Sequence, residues 1–184
     1  MLIDITLKLT PELLKSAPEK DNPALAGHLG THFDVMDKVF PLEYTRRKGI
    51  LFDVSSIRDR DIEISDIDPQ DLEKDLFVLF RTGWSREVTY GSREYFARHP
   101  QLSVQLIELL LEKGVSIIAL DCGGVRRGSE HTPMDQRCAD RGVFVVENLF
   151  GLEELPENTP FTAYTFPMAY TGLTGLPCRV VAEV

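Results

Sequence analysis

The chain has 184 residues, 43% of them hydrophobic and 27% charged, with a net charge of −9. That length suits one domain with a real core, and the acidic balance argues against nucleic acid or an anionic membrane as partner, since either prefers a basic face. No apolar run approaches the roughly 20 residues of a membrane span, Met1-Leu2-Ile3-Asp4-Ile5 lacks the regions of a signal peptide, and three dispersed cysteines (Cys122, Cys138, Cys178) form no disulfide framework, so a cytoplasmic location is expected.

Leu2 to Leu9 alternates apolar and polar residues and reads as a half-buried strand. Residues 17–31, with Pro23 and several glycines, read as loop. Gly49–Val54 is a short apolar strand, and Asp61–Ile67 alternates again. Pro69 opens a short helix through Lys74. Leu76–Phe80 is apolar throughout, as in a strand covered on both faces. Ser103 caps a helix whose Leu106, Ile107, Leu110 and Leu111 recur at helical spacing, and Gly114 closes it. Val115–Leu120 is a second buried strand. Thr132 as N-cap and Pro133 open a helix ending at Gly142, and Val143–Val146 is a third buried strand. Phe161–Tyr170 and Arg179–Val184 are strand-like. Strands alternating with helices imply parallel β-α-β units in a mixed α/β domain spanning residues 1–184.

The densest chemistry lies in Gly27-His28-Leu29-Gly30-Thr31-His32-Phe33-Asp34. On a loop entering an extended segment, His32 and Asp34 point to the same side. Two imidazoles and a carboxylate suit a divalent metal, although a polar loop whose histidines bond the backbone is equally consistent with the spacing. Sites of parallel sheets gather at the carboxyl ends of strands, where Arg81, Asp121 and Glu147 follow the three buried strands. A bare Glu147 there costs several kcal/mol unless paired or metal-bound. Asp121, in a tight Asp-Cys-Gly-Gly turn, has a turn role. Asp135 sits near a helix start, which explains it structurally. His131, just outside that helix, either reaches a site or is solvated. His99, before Pro100, reads as a helix-end residue.

These residues resemble the metal-dependent cyclase-like hydrolases that include bacterial kynurenine formamidase and isatin hydrolase. Their signature, H-x-G-T-H-x-D-x-P-x-H, is matched through His28-Leu29-Gly30-Thr31-His32-Phe33-Asp34. Leu79-Phe80-Arg81-Thr82-Gly83-Trp84, Tyr95-Phe96 before His99-Pro100, Val145-Val146-Glu147-Asn148-Leu149 and Arg179-Val180-Val181-Ala182 are similar to further family segments. The resemblance implies a compact α/β domain with a partly barrel-like sheet, assembled as a homodimer or homotetramer. It also implies that His28, His32 and Asp34 bind a first metal, with Asp34 and Glu147 reaching a second. The chain departs from the family at Asp135, where the formamidases carry a ligand histidine, and at Met36 and Lys38, which replace the signature's proline and its proton-carrying histidine.

The implied activity is hydrolysis of a small-molecule amide, lactam or lactone by metal-activated water, with one or two divalent ions, Zn²⁺ or Mn²⁺, as cofactor. A second metal held by Asp34, Asp135 and Glu147 alone would have oxygen-only surroundings, which favour Mn²⁺ or Mg²⁺. An ammonium of Lys38 facing those carboxylates would offset them or stand in for a second metal, and Lys38 is a candidate base only where a bound metal pushes it to the neutral amine. It is otherwise a solvated lysine, with His131 the alternative proton carrier. Arg81, Trp84 and Arg126 are candidate pocket residues. Two other readings stay open: a metal-binding or ligand-binding module that has lost catalysis, and an α/β domain without metal.

Overall fold

Apolar residues fill every position of Phe77–Phe80 and Ile117–Leu120 because both faces of these strands are covered. The computed structural model describes residues 1–16, 26–157 and 159–184. Its strands are β1 (Leu2–Asp4), β2 (His32–Asp34), β3 (Arg46–Asp53), β4 (Phe77–Arg81), β5 (Ile117–Leu120), β6 (Phe144–Glu147), β7 (Phe161–Pro167) and β8 (Gly175–Glu183). They form one sheet in the order β1-β8-β2-β6-β5-β4-β3-β7, and β7 pairs back onto β8. Seven strands therefore close a mixed barrel, and β1 is an outer strand on β8. The strands from β3 through β6 run parallel, whereas β2 and β7 are antiparallel to their neighbours.

Among the described residues five helices accompany the sheet: α1 (Pro11–Ser16), α2 (Trp84–Glu87), α3 (Arg93–Arg98), α4 (Val104–Lys113) and α5 (His131–Asp140). Phe33, Leu51, Phe77, Leu79, Ile117, Ala119, Phe144 and Val146 belong to the apolar cluster inside the barrel. Their sequence neighbours Val78, Phe80, Ile118, Leu120 and Val145 pack outside, with Leu106, Ile107, Leu110 and Leu111 of α4 and Cys138 of α5. The same alternation governs the polar residues. With Phe33 inside, His32 and Asp34 point outward; with Val146 inside, Glu147 does too. The β2–β6 register sets His32 directly opposite Glu147.

Ser103 caps α4 by accepting a bond from the Leu106 amide at 3.1 Å, and Gly114 ends it at φ 69°. Other elements differ from the sequence expectation. β1 stops at Asp4, with Thr6 making only an isolated bridge to Leu149. Asp61–Ile67 is not a strand: Asp66 accepts from the Glu63 amide at 2.7 Å, closing a 3-10 turn over Ile64–Asp66. The helix expected from Pro69 through Lys74 is a single 3-10 turn, Pro69–Asp71. α5 begins at His131, one residue before Thr132, because a 3-10 turn over Gly128–Glu130 runs directly into it. Of the expected loop, residues 26–28 form a 3-10 turn, while 17–25, with Pro23, lie outside the described residues.

That turn, which carries His28, rests against β8 where two glycines meet. A Cβ at Gly27 would lie 2.2 Å from the Gly175 carbonyl oxygen, and one at Gly175 would lie 2.6 Å from that of Gly27. Gly27→Ala is therefore expected to destabilise the protein by about 1–3 kcal/mol through overpacking, read as a lowered urea midpoint. An unchanged midpoint would show that the contact yields freely.

Candidate metal centre

β2 supplies His32 and Asp34, the end of β6 supplies Glu147, the 3-10 turn supplies His28, and α5 supplies His131 and, one turn later, Asp135. His28 Nδ1 lies 3.0 Å from Asp34 Oδ1, and His32 Nε2 lies 3.7 Å from both Asp34 Oδ1 and Glu147 Oε2. His131 Nε2 lies 3.4 Å from Asp135 Oδ2 and 3.6 Å from Glu147 Oε1. Two overlapping donor sets result, His28-His32-Asp34 and Asp34-His131-Asp135-Glu147, and Asp34 belongs to both.

Each imidazole commits one nitrogen away from the cluster. His32 Nδ1 donates to the Gly30 carbonyl at 2.9 Å, and His131 Nδ1 donates to the Arg126 carbonyl at 3.1 Å. His28 Nε2 is bonded to Thr174 Oγ1 at 2.8 Å. The opposite nitrogens are left facing the carboxylates, an arrangement typical of metal-ligating histidines.

Asp34, Asp135 and Glu147 are all at most 3% exposed. Burial pushes the Asp135 carboxyl well up, and the nearby Asp34 charge adds to it. Burial, then Asp34 and Asp135, do the same to Glu147. Burial opposes ionisation of Asp34 too, but the charge of His32 and hydrogen bonds from His28 and His32 hold its carboxyl below the ordinary range. Asp34 Oδ2, Asp135 Oδ1 and Glu147 Oε1 are buried without a hydrogen-bond partner among the described residues. Unpartnered buried carboxylate oxygens beside imidazole nitrogens are what a bound divalent cation satisfies, so the residues fit such an ion.

A cavity of about 360 Å³ opens onto the cluster, bounded also by Met36, Phe96, Asn148 and Thr174. Asn148 and Met36 have positive φ, 59° and 56°. Asn148 Nδ2 donates to the same Gly30 carbonyl that holds His32, at 3.1 Å. Sequence reading missed these roles; only Asn148, in the Glu147-Asn148-Leu149 element, carried a signal. It also missed Gly124, in the turn assigned to Asp121. Asp121 itself is a turn residue, accepting from the Thr82 amide and hydroxyl and the Gly83 amide at 2.6–2.8 Å.

Four candidates lie elsewhere. Lys38 does not face the cluster: its ammonium pairs with Asp37 at 2.9 Å and Asp140 at 2.7 Å, and both partners raise its pKa. Arg81 holds Asp53 and Glu157. Trp84 is buried in the helix-side core, its indole donating to the Tyr95 carbonyl at 3.0 Å. The Arg126 side chain holds Asp61 and Glu130, and only its carbonyl touches the site, through His131. The oxygen-only second set is likewise corrected, because His131 stands beside Asp135 and Glu147.

The sequence matches the Cyclase family over residues 3–126, more than half of the chain. The chain belongs to the Cyclase family. Among solved structures, a potential metal-dependent hydrolase with cyclase activity superposes with a TM-score of 0.79 at 24% identity, covering 99% of this chain and 96% of that one. A predicted metal-dependent hydrolase from Bacillus stearothermophilus gives 0.77 at 21%, covering 99% and 97%. Isatin hydrolase A from Ralstonia solanacearum gives 0.80 at 18%, covering 100% and 92%. At these identities the likeness establishes the shared fold. No curated protein matches the chain.

Gly124, at φ 121°, has no room for a side chain: a Cβ would lie 2.6 Å from His131 Nδ1 and 2.7 Å from Glu147 Oε1. Gly124→Ala should weaken binding by the second donor set more than by the first, measured as metal per chain against added Mn²⁺; equal loss from both sets would contradict the geometry. The raised carboxyls carry a second expectation. Folded Asp135 and Glu147 bind protons that the unfolded chain releases near pH 4, so stability of the metal-stripped protein should fall as pH rises above about 4. Asp135→Asn should accordingly stabilise that form at pH 7, by about 1 kcal/mol or more. Thermal melts after chelation test both, and a destabilised variant would reject the account.

Proposed function

We propose that this chain is a metal-dependent hydrolase of a small amide, lactam or lactone. The observation that carries the reading is the pair of donor sets sharing Asp34, with three unpartnered carboxylate oxygens between them. Family membership and the hydrolases that share its fold support it. His28, His32 and Asp34 would hold a first Zn²⁺ or Mn²⁺; Asp34, His131, Asp135 and Glu147 would hold a second. A bound ion would supply carbonyl polarisation and acidify a water. The chain's own residues do the rest. Asp34 belongs to both sets; where only the first set is loaded, Asp135 and Glu147 keep their protons, and His131, whose Nε2 faces both, is the group that would move one. Measured stoichiometry separates that one-ion state from the two-ion state, in which His131 is itself a ligand.

A second reading is favoured by one observation. Lys38 stands in the place of the family's proton-carrying histidine and turns away to Asp37 and Asp140, which suits a ligand-binding module with altered catalysis. We also propose assembly as a homo-oligomer through the groove formed by exposed Val39, Leu42, Met168 and Tyr170; exposed apolar patches of this kind mark interaction sites.

Elemental analysis of the purified protein, followed by a panel of aryl amides, lactams and lactones, tests the reading. His32→Ala should lose most of the metal with the fold retained. His131→Ala should lower turnover about a hundredfold, whereas Lys38→Ala should leave it within about twofold. Wild-type metal content in His32→Ala would remove the central claim, and metal without turnover across the panel would favour the binding module.

A further inference from the structure

Behind His131 a second cavity of about 850 Å³ adjoins the centre and shares Phe96, Gly123, His131 and Thr132 with it. That size is within the range of small-molecule sites. His99 lines it and is 1% exposed. Its Nδ1 donates to the Pro100 carbonyl at 2.8 Å, so Nε2 is the lone-pair acceptor, and Nε2 has no hydrogen-bond partner among the described residues. Burial lowers the His99 pKa to about 4, so the ring is neutral at physiological pH.

Arg93 and Arg127 line the same cavity. In this acidic chain, Arg58, Arg81, Arg126 and Arg137 are each matched by carboxylates. Arg93 and Arg127 form no ion pair among the described residues: Arg127 bonds the neutral Gln101 through Nε at 3.1 Å, and the carboxylate its charge reaches is Asp61, which Arg126 already pairs. The carboxylate on this wall, Glu130, is held by Arg126. The cavity thus combines two guanidiniums without an ion pair among the described residues, an aromatic face at Phe96 and one buried neutral acceptor. Guanidiniums recognise carboxylates by paired, charge-assisted bonds.

We propose that this cavity is the distal subsite of the metal centre and takes a small aromatic carboxylate, with its anion on Arg93 and Arg127, its ring against Phe96 and an O–H or N–H donated to His99 Nε2. The inference deepens the hydrolase reading by naming its substrate class: an aryl amide, lactam or lactone carrying a separate anionic group. It rests on that reading only in calling the ligand a substrate.

The full chain loaded with zinc is titrated calorimetrically with benzoate, benzamide and 3-hydroxybenzoate. Benzoate should bind about tenfold tighter than benzamide, and the Arg93→Gln/Arg127→Gln double variant should reduce that preference below about twofold with zinc content unchanged. 3-Hydroxybenzoate should exceed benzoate by about threefold or more, an advantage lost in His99→Leu and kept in His99→Gln, which retains an acceptor. Should His99→Leu fail to fold, the ¹⁵N shift of His99 Nε2 in the wild type should move with 3-hydroxybenzoate and not with benzoate. A preference for benzoate that survives the double arginine variant would place the carboxylate on the metal and overturn the proposal, as would no preference at all. These readouts need no turnover. Arginine-dependent binding without hydrolysis sinks the hydrolase reading and keeps the subsite, whereas hydrolysis of neutral lactams without that binding does the reverse.

Discussion

Three carboxylates buried against one another constrain everything around them. Asp34, Asp135 and Glu147 come from a strand, a helix and a neighbouring strand end, and each retains a buried oxygen that no hydrogen bond from the described residues reaches. Ionised together without compensation they would cost several kcal/mol each. Protons on Asp135 and Glu147, imidazoles beside Asp34 and a divalent cation are the ways to offset that cost, and the site is built for all of them. The elements that hold the carboxylates still are therefore the elements that would hold a divalent ion.

The barrel provides that rigidity through strand parity. Phe33 and Val146 are locked inside by the apolar cluster, so His32, Asp34 and Glu147 must project from the outer wall. Antiparallel pairing of β2 with β6 then sets His32 across from Glu147, and α5 covers them with His131 and Asp135 one turn apart. Gly30 ties the loop to this wall, because its carbonyl accepts from both His32 and Asn148. A slip of one residue in β2 would turn both donors into the apolar interior.

Much of this was legible in the sequence for a physical reason. Buried strands and the α4 helix announce themselves by unbroken apolar runs, helical spacing, Ser103 and Gly114, and β2 by the His32-Phe33-Asp34 alternation. Asp61–Ile67 misled because its period-two pattern was overridden by Asp66 capping a turn, a local bond that competes with strand formation. The closure of β7 onto β8 was less legible, since barrel closure depends on pairing between distant segments. Arg81, Trp84 and Arg126 misled in another way. Their residue types suit a pocket, but Asp53 and Glu157, the Tyr95 carbonyl, and Asp61 with Glu130 claim them first.

Lys38 shows where parity reasoning ends. Residues 34, 36 and 38 would share one face if β2 continued, and an ammonium at position 38 would then lie along the same wall as Asp34. β2 stops at Asp34 instead. The amides of Val35 and Met36 both turn to the Thr174 carbonyl, Met36 takes φ 56°, and the Lys38 amide bonds back to Val35. Left-handed backbone at a methionine is uncommon and is held only where surrounding structure demands it. Here the demand is visible: the bend places Met36 over the cavity at the cluster and Lys38 beside Asp37 and Asp140, on the separate groove that Val39 and Leu42 also line. The bend therefore removes the lysine from the wall of carboxylates and leaves His131, anchored by the Arg126 carbonyl, as the basic group that faces them from the helix.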